Sequence, residues 1–270
     1  MAAARHRPRS GEGRLTSCRS WLSALVMLAA VRAGPAGAQY GPPELVRLVD
    51  SPTAGLVDKG QFAIDLRLFS GGGLMGQVDA GLLQRLAIGL AFGGEGVIGG
   101  ESVDWHPRVE AAARCRLVEE STGMPALTAG YDTQGYGAHT HGRYQVRGKG
   151  IYLASSKNYG TPLGQLGFHG GLNWSLEEEG GGLSGWLGAD KRFSDRLIFI
   201  AEYDLARDGG DDSWALNRGY ANGGAHWSPT PSLRLGFLLK NFLQNGDRTA
   251  PGGPSADLSR EVSVRYSESF

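Results

Sequence analysis

Apolar and polar residues alternate in short segments along most of this chain. The last eleven residues show the pattern clearly: Val262, Val264, Tyr266 and Phe270 share one parity, and polar residues hold most of the other. A period of two places the two sets on opposite faces of a β-strand. The clearest faces upstream are Phe62/Ile64/Leu66/Leu68, Leu86/Ile88/Leu90/Phe92, Leu166/Phe168/Leu172/Trp174 and Leu197/Phe199/Ala201/Tyr203. The pattern therefore predicts a chain built from strands.

Twelve strands are predicted, separated by Gly, Pro, Asp and Asn. They span residues 60–70, 74–82, 85–93, 108–118, 125–132, 144–156, 164–175, 183–193, 196–204, 215–227, 232–242 and 259–270. The sixth and tenth are ambiguous; within the sixth, a bulge near Gly148 or Gly150 could switch the parity. Helices are disfavoured, since each of the 44 glycines would cost about 1 kcal/mol in a helix interior. No window after residue 38 approaches about 18 consecutive apolar residues, so no transmembrane helix is predicted.

The connections between these strands differ in length. In chain order, the even ones are tight, at 83–84, 119–124, 157–163, 194–195 and 228–231, and the odd ones after the first are long or Gly-rich, at 93–107, 132–143, 176–182, 205–214 and 243–258. Short periplasmic turns opposite longer extracellular loops are typical of transmembrane barrels. The sequence therefore predicts an all-β fold, a transmembrane antiparallel up-and-down β-barrel of about twelve strands.

Aromatic residues fall near both ends of the predicted strands. The strands that run outward end at Phe92, Tyr131, Trp174 and Tyr203, and the opposite rim holds Phe62, Phe193 and Phe270. Two aromatic belts are expected from these positions, as in barrels that cross a membrane.

Charged residues in the strands occupy the parity opposite the apolar faces. A basic side chain that faces lipid at the bilayer midplane costs about 2–4 kcal/mol, and a marginally stable fold cannot absorb that repeatedly. We therefore expect these residues to line the barrel interior and to set the selectivity of a pore. They are Asp65, Arg67, Asp79, Glu110, Arg114, Arg116, Glu202, Glu261 and Arg265. Twelve strands lie between filled eight-stranded barrels and open porins, so a narrow or plugged lumen is expected.

The start of the chain has the organisation of a secretory signal peptide. Basic residues fill positions 1–19, an apolar run follows from Trp21 to Val31, and Ala36-Gly37-Ala38 supplies a small-residue cleavage site. Cleavage after Ala38 would leave 39–270. We predict three parts: the signal peptide at 1–38, a periplasmic lead-in at 39–59, and the outer-membrane barrel at 60–270.

The charge balance changes when the signal peptide is removed. Residues 1–38 hold six Arg and one Glu, which leaves 21 basic and 26 acidic residues in the mature chain. A mildly acidic, exported protein is a poor candidate for binding nucleic acid. Cys115 remains as the one cysteine, so no disulfide can form within the chain.

Two resemblances add to this interpretation. The aromatic ending at Phe270 resembles the terminal strand of bacterial outer-membrane barrels, which implies recognition by the barrel-assembly machinery. The sequence also resembles YjbH-like outer-membrane proteins, which are associated with exopolysaccharide production. The similar segments are Asp50-Ser-Pro-Thr-Ala-Gly ahead of Gly60-Gln-Phe, Gly130-Tyr-Asp-Thr-Gln-Gly-Tyr-Gly137, and Arg143-Tyr-Gln-Val through Ala154-Ser-Ser-Lys-Asn-Tyr159. This resemblance implies a barrel with polysaccharide or envelope-export components as partners, and it supplies no catalytic residues.

Few motifs point to a cofactor or a metal, and none is predicted. His139 and His141 could share a strand face as metal ligands but have no evident third ligand, so a solvated loop is favoured. Glycine runs at 71–73 and 180–182 lack a phosphate-loop ending, so tight turns are favoured. Acids at 177–179 and 211–212 could gather divalent cations, but solvated loop acids are favoured over that.

Three functions remain open at this point. We favour a narrow pore, or a component of exopolysaccharide or envelope export, in contact with outer-membrane lipid. A second possibility is a non-conducting structural or docking barrel. The third is a hydrolase for lipid or sugar esters, with His106, His169 or His226 as the base, although no serine has the G-x-S-x-G context. His169 is expected to point inward, where a hydrogen-bonded lumen residue is favoured.

Overall fold

The structure, a computed structural model, describes residues 44–99, 102–140, 142–177, 182–207, 219–245 and 257–270. The predicted signal peptide and its cleavage site after Ala38 lie outside these ranges. Among the described residues no helix is long and apolar enough to span a membrane. The strands are β1 Gln61–Phe69, β2 Gly73–Leu83, β3 Leu86–Glu95, β4 Asp104–Trp105, β5 Glu110–Val118, β6 Ala126–Asp132, β7 Tyr136–Thr140, β8 Arg143–Val146, β9 Gly150–Thr161, β10 Gly164–Trp174, β11 Leu183–Ser194, β12 Leu197–Asp204, β13 Tyr220–Thr230, β14 Leu233–Lys240 and β15 Ser259–Ser269.

Twelve of these strands form a closed antiparallel barrel. Each pairs with its neighbours in chain order, with β4, β7 and β8 left out of the ring, and β1 closes the ring by pairing with β15. The closing register places Asp65 opposite Arg265. The two-residue β4 extends the edge of β3, and β7 pairs with β8 in a separate hairpin. The predicted fold class is confirmed.

The two faces of the barrel wall differ sharply in polarity. Leu66 is 46% exposed on the outer face of β1, whereas the next residue, Arg67, is 6% exposed on the inner face. Leu90 and Leu187 are likewise exposed on the outer faces of β3 and β11. An apolar outer face suits lipid, and the polar parity is turned towards the interior.

The aromatic residues at the strand ends also lie on the outer face. Phe92, Tyr131, Trp174 and Tyr203 are exposed at the end of the barrel that carries the long loops, and Phe92 stacks on Trp105 with ring centroids 5.6 Å apart. Phe193 and Phe199 pack edge to face near the opposite end, at 5.6 Å.

The bounds of the barrel strands follow the prediction closely except in two strands. The predicted sixth strand, 144–156, is wrong, because the chain there forms β8, leaves the hairpin at 147–149, and begins β9 at Gly150. Gly150 has a φ of 61°, a conformation that favours glycine. A Cβ on Gly148 would lie 2.6 Å from the carbonyl oxygen of Thr133. These two glycines, where the sequence suggested a bulge, allow the chain to bend within the stretch predicted as one strand.

The predicted tenth strand, 215–227, also differs from the structure. Residues 215–218 lie outside the described ranges, and β13 runs past the predicted end to Thr230. Pro229 lies within β13, where the register with β14 shifts between Trp227 and Thr230. A bulge accommodates a residue that cannot donate a ladder hydrogen bond, so the proline does not end the strand.

The segment predicted as a periplasmic lead-in, 39–59, lies elsewhere in its described part. Residues 45–57 are buried apart from the half-buried Arg47, and their partners are inward-facing side chains from strands around the ring. We call residues 44–58 the plug. The prediction is corrected for this reason: the segment lies within the barrel.

Candidate functional site: the plugged lumen

The plug is a tight hairpin held by its own hydrogen bonds. The Leu48 N–H donates to the Ser51 carbonyl at 2.9 Å, and the Thr53 N–H donates to the Val46 carbonyl at 3.1 Å. The Thr53 hydroxyl bonds to the Leu45 carbonyl. These contacts fix the turn so that residues 49–51 form its tip.

One wall carboxylate binds the tip of the plug. Glu202 on β12 accepts hydrogen bonds from the N–H groups of Val49, Asp50 and Ser51 at 3.0–3.1 Å. Asn222 on β13 donates to the same carboxylate at 2.9 Å. Successive N–H groups that converge in a turn form an anion-binding concavity. Here the anion is a side chain of the barrel itself.

The side chain of Asp50 forms a second attachment. Its carboxylate lies 2.8 Å from Arg67 Nη2 and 2.7 Å from Lys240 Nζ. Glu261 contacts both bases, at 2.5 Å from Arg67 and 3.4 Å from Lys240. Burial by itself would raise the pKa of Asp50, but Lys240 and Arg67 lower it to about 2. Two acids and two bases thus balance one another's charges in a buried cluster.

Wall donors also bind the backbone carbonyls of the plug. Arg114 Nη1 donates to the Val46 carbonyl at 2.6 Å, and Trp186 Nε1 donates to the Pro52 carbonyl at 3.0 Å. Arg116 Nε donates to the Ala54 carbonyl at 3.0 Å. Two apolar clusters add to these contacts: the plug meets Ile198, Ile200 and Leu238 on one side and Ala87 on another.

The β7–β8 hairpin is attached at the long-loop end. Glu177 accepts hydrogen bonds from the N–H groups of Tyr144 at 3.0 Å and Gly148 at 2.6 Å. Burial raises the pKa of this carboxyl to about 7, although both N–H donors lower it. The expectation of a solvated loop acid, or of a cation ligand, is therefore wrong for Glu177. Residues 178–179 and 211–212 lie outside the described ranges.

A small cavity lies in the lumen. It has a volume of about 70 Å³ and lies between the plug and the wall formed by β1, β2 and β13–β15. Asp65, Arg67, Asp79, Arg234 and Arg265 contribute to its lining. Such a volume holds a few water molecules. A larger solute does not fit in this cavity.

The structure places all nine predicted lumen residues on the inner face. Arg67, Arg114, Arg116, Glu202 and Glu261 lie in the network around the plug. The others contact nearby charged residues: Arg265 pairs with Asp65 and lies 3.8 Å from Asp79, and Glu110 pairs with Arg108 at 2.9 Å.

Sequence reasoning missed several residues of this network. Lys240 and Asp50 lie outside the predicted lumen set, and so does the Lys149–Asp204 pair at the long-loop end. Lys240 had a usable signal, because it lies two residues after the inward-facing Leu238 on a predicted strand. Asp50 had no periodic signal for an inward position, since the plug has no strand periodicity.

The remaining motif candidates are partly described. Gly71 and Gly72 adopt φ values of 74° and 66° in the turn between β1 and β2. His139 is described but His141 is not, and the described residues contain no group of three His, Cys, Asp or Glu suited to a metal. The N–H of Phe270 donates to the Gly60 carbonyl at 2.8 Å.

The three candidate histidines lie in different surroundings. His106 packs edge-on against Tyr144 at the long-loop end, with centroids 5.1 Å apart. His226 is buried beside the cavity. His169 lies on the inner wall between Ser156 and Asp190, at 2.8 Å from each.

No known family model and no curated protein matches the chain. The KdgM porin has a similar structure, with a TM-score of 0.51 and 10% identity over 78% of this chain and 99% of that chain. The chain has the fold of an outer-membrane β-barrel. A KdgM porin in complex with disordered oligogalacturonate gives a TM-score of 0.49 at 11% identity, with 78% and 99% coverage. The NanC porin gives 0.43 at 8% identity, with 77% and 99% coverage.

Proposed function

We propose that this protein is an outer-membrane pore that its own plug holds closed, and that small hydrophilic solutes pass when the plug leaves the lumen. One observation carries the proposal: a separate peptide segment, rather than the wall side chains alone, fills the lumen. Side chains are fixed to the wall, whereas a segment that precedes β1 can move as a unit.

The chemistry of the wall behind the plug supports an aqueous passage. Arg67, Arg114, Arg116 and Glu202 all contact the plug, and Glu261 pairs with Arg67. Water would solvate each of these side chains once the plug has gone. These charges would then bias ion passage along a narrow wall, most strongly at low salt.

Export of exopolysaccharide is a narrower form of the same proposal. It is supported by the resemblance of residues 130–137 and 143–159 to YjbH-like proteins. A polysaccharide chain would require the open lumen, so both forms depend on displacement of the plug.

Weakening the plug tests the proposal. Asp50→Ala leaves Arg67 and Lys240 with one buried acid in place of two, and breaking a buried ion pair costs about 3–5 kcal/mol. We expect the refolded variant to open at least about tenfold more often than wild type in planar bilayers, since each 1.4 kcal/mol is a factor of ten. If the barrel passes polysaccharide, soluble exopolysaccharide added to one chamber should block the opened current.

Asp58→Ala is the matched control, because Asp58 belongs to the same segment and its side chain is exposed. It should conduct as wild type does. Heat-modifiable gel mobility verifies that all three barrels are folded. Folded Asp50→Ala protein that conducts no more than wild type would contradict the pore and favour the docking barrel, whose filled lumen is otherwise compatible with this structure.

A further inference from the structure

Three side chains on adjacent strands form one hydrogen-bonded line across the inner wall. Ser156 Oγ on β9 lies 2.8 Å from His169 Nδ1 on β10. His169 Nε2 lies 2.8 Å from Asp190 Oδ1 on β11. All three side chains are buried, with residue exposures of 6%, 7% and 4%. A hydroxyl, an imidazole and a carboxylate are thereby joined in sequence.

These contacts are consistent with a single imidazole tautomer. Asp190 can only accept a hydrogen bond when it is ionised, so Nε2 carries the proton. Nδ1 then holds a lone pair and accepts the hydrogen bond from the Ser156 hydroxyl. Serine, base and carboxylate take the roles of a nucleophilic triad, which is recognised by geometry and roles rather than by sequence context. The two ring nitrogens are exchanged relative to the serine-protease arrangement.

The plug supplies a carbonyl group beside this serine. The Ala54 N–H donates to Ser156 Oγ at 2.8 Å. The carbonyl oxygen of the same residue accepts hydrogen bonds from Arg116 Nε at 3.0 Å and from Thr128 Oγ1 at 2.7 Å. Two donors from β5 and β6 thus polarise a carbonyl next to the nucleophile. Such donors stabilise the oxyanion formed during acyl transfer.

Gly167 leaves space for the hydrogen bond between Asp190 and His169. A Cβ on Gly167 would lie 2.2 Å from Asp190 Oδ1 and 2.9 Å from His169 Nε2. The carboxylate therefore reaches the imidazole through space that any other residue would fill. The register pairs Gly167 directly with Asp190, so the gap lies where the carboxylate needs it.

We propose that the lumen holds a latent esterase site, with Ser156 as nucleophile, His169 as general base and Asp190 as the residue that positions the imidazole. The substrate class is a small carboxylic ester, whose carbonyl would take the place of the Ala54 carbonyl against Arg116 and Thr128. Access to Ser156 rests on the displacement of the plug proposed above. The activity itself is additional to conduction.

The reaction balances with water as the only co-reactant. Ser156 Oγ bonds to the ester carbon while its proton passes to His169 Nδ1. The tetrahedral intermediate then loses the alcohol, which takes that proton from the imidazole. Water attacks the acyl-serine with the same base, and the acid and free serine are released. The plug, in covering Ser156, holds the site inactive.

Labelling by a fluorophosphonate tests the assignment, because this probe bonds to an activated serine with loss of fluoride. The full chain and its Asp50→Ala variant are treated with the probe, and peptide mass spectrometry locates the phosphonate. We expect label on Ser156, formed at least about tenfold faster in Asp50→Ala. The same variant should hydrolyse 4-nitrophenyl acetate.

Variants made in the Asp50→Ala background separate catalysis from folding. Ser156→Ala should abolish the label and His169→Gln should slow it about 100-fold or more. Ser155→Ala, a change on the opposite face of β9, should leave it unchanged. Asp190→Asn should lose labelling and Asp190→Glu should recover part of it, which a merely structural carboxylate would not produce at equal folded fraction.

The outcomes also separate this site from the pore. Absence of label on Ser156 in Asp50→Ala protein, or label that survives in Ser156→Ala, overturns the esterase. The three side chains then only satisfy one another's hydrogen bonds. Conductance without labelling would support the pore and contradict the esterase. Labelling without conductance would support the esterase and contradict the pore.

Discussion

At the residue scale, parity predicts a side chain's face but not its partner. Glu202 alternates with the apolar residues of β12, so its inward direction follows from the sequence alone. Its partners are backbone N–H groups about 150 residues earlier in the chain. No local pattern encodes that pairing, because the sequence around any inward-facing acid at the same level of the barrel would show the same alternation. The lumen set was therefore predictable, whereas its network was not.

Gly167 allows a prediction at this scale. Gly167→Ala places a methyl group 2.2 Å from Asp190 Oδ1, so the buried carboxylate must move away from His169. We expect a loss of about 1–3 kcal/mol in the free energy of unfolding, the usual cost of leaving a buried polar group without its partner. Urea titration of the protein refolded in lipid vesicles measures it.

Gly160→Ala is the control for this change. Gly160 lies on the neighbouring β9, and a Cβ there meets nothing within 4 Å. Equal unfolding free energies for the two variants would show that the space at Gly167 is not needed for the contact between Asp190 and His169.

At the element scale, strand existence was predictable and strand ends were not. The sequence predicts one strand over 144–156 with a possible bulge near Gly148 or Gly150, whereas the structure divides that stretch between a hairpin strand and a barrel strand. The division depends on Gly148 and Gly150 and on the attachment of the hairpin to Glu177. In β13 the opposite occurs, since a bulge carries the strand past Pro229. The alternation of apolar and polar residues encodes neither the attachment of the hairpin nor the bulge in β13, so it could not predict these strand ends.

Attachment of the hairpin should depend on pH. Burial raises the pKa of Glu177 to about 7, above the unfolded value of about 4.3. The folded loop therefore binds this proton more tightly, so the stabilisation is fully present below about pH 4 and is lost as the pH rises through about 7. We expect the amides of 142–149 to open more often at pH 8 than at pH 5, as measured by hydrogen exchange corrected for intrinsic rates.

Glu177→Gln should remove this dependence, because the amide does not ionise in that range. Asp195→Asn, in the exposed turn between β11 and β12, should retain it. Equal pH dependence in wild type and Glu177→Gln protein would assign the effect to another group.

At the scale of the whole molecule, the alternation of apolar and polar residues and the lengths of the connections predicted most of the fold. Twelve strands with opposite polar and apolar faces close in chain order, because each neighbour is the next strand along and the last meets the first. The plug escaped prediction since a hairpin without strand periodicity, rich in Leu and Val, is compatible with many locations. Only its contacts with inward residues across the ring determine where it lies.

The central claim is that movement of the plug opens the lumen, and a reversible crosslink tests it most directly. Val46 of the plug and Ala87 of β3 share one buried apolar cluster. Val46→Cys and Ala87→Cys are introduced together in an Asp50→Ala, Cys115→Ser background, which leaves no other cysteine within residues 39–270. Planar-bilayer conductance is recorded with the pair oxidised and again after reduction, and mass spectrometry verifies the disulfide. We predict that the oxidised barrel stays closed and that reduction restores the openings of the Asp50→Ala protein. Equal conductance in the two states, with the disulfide formed, would contradict a plug that gates the pore.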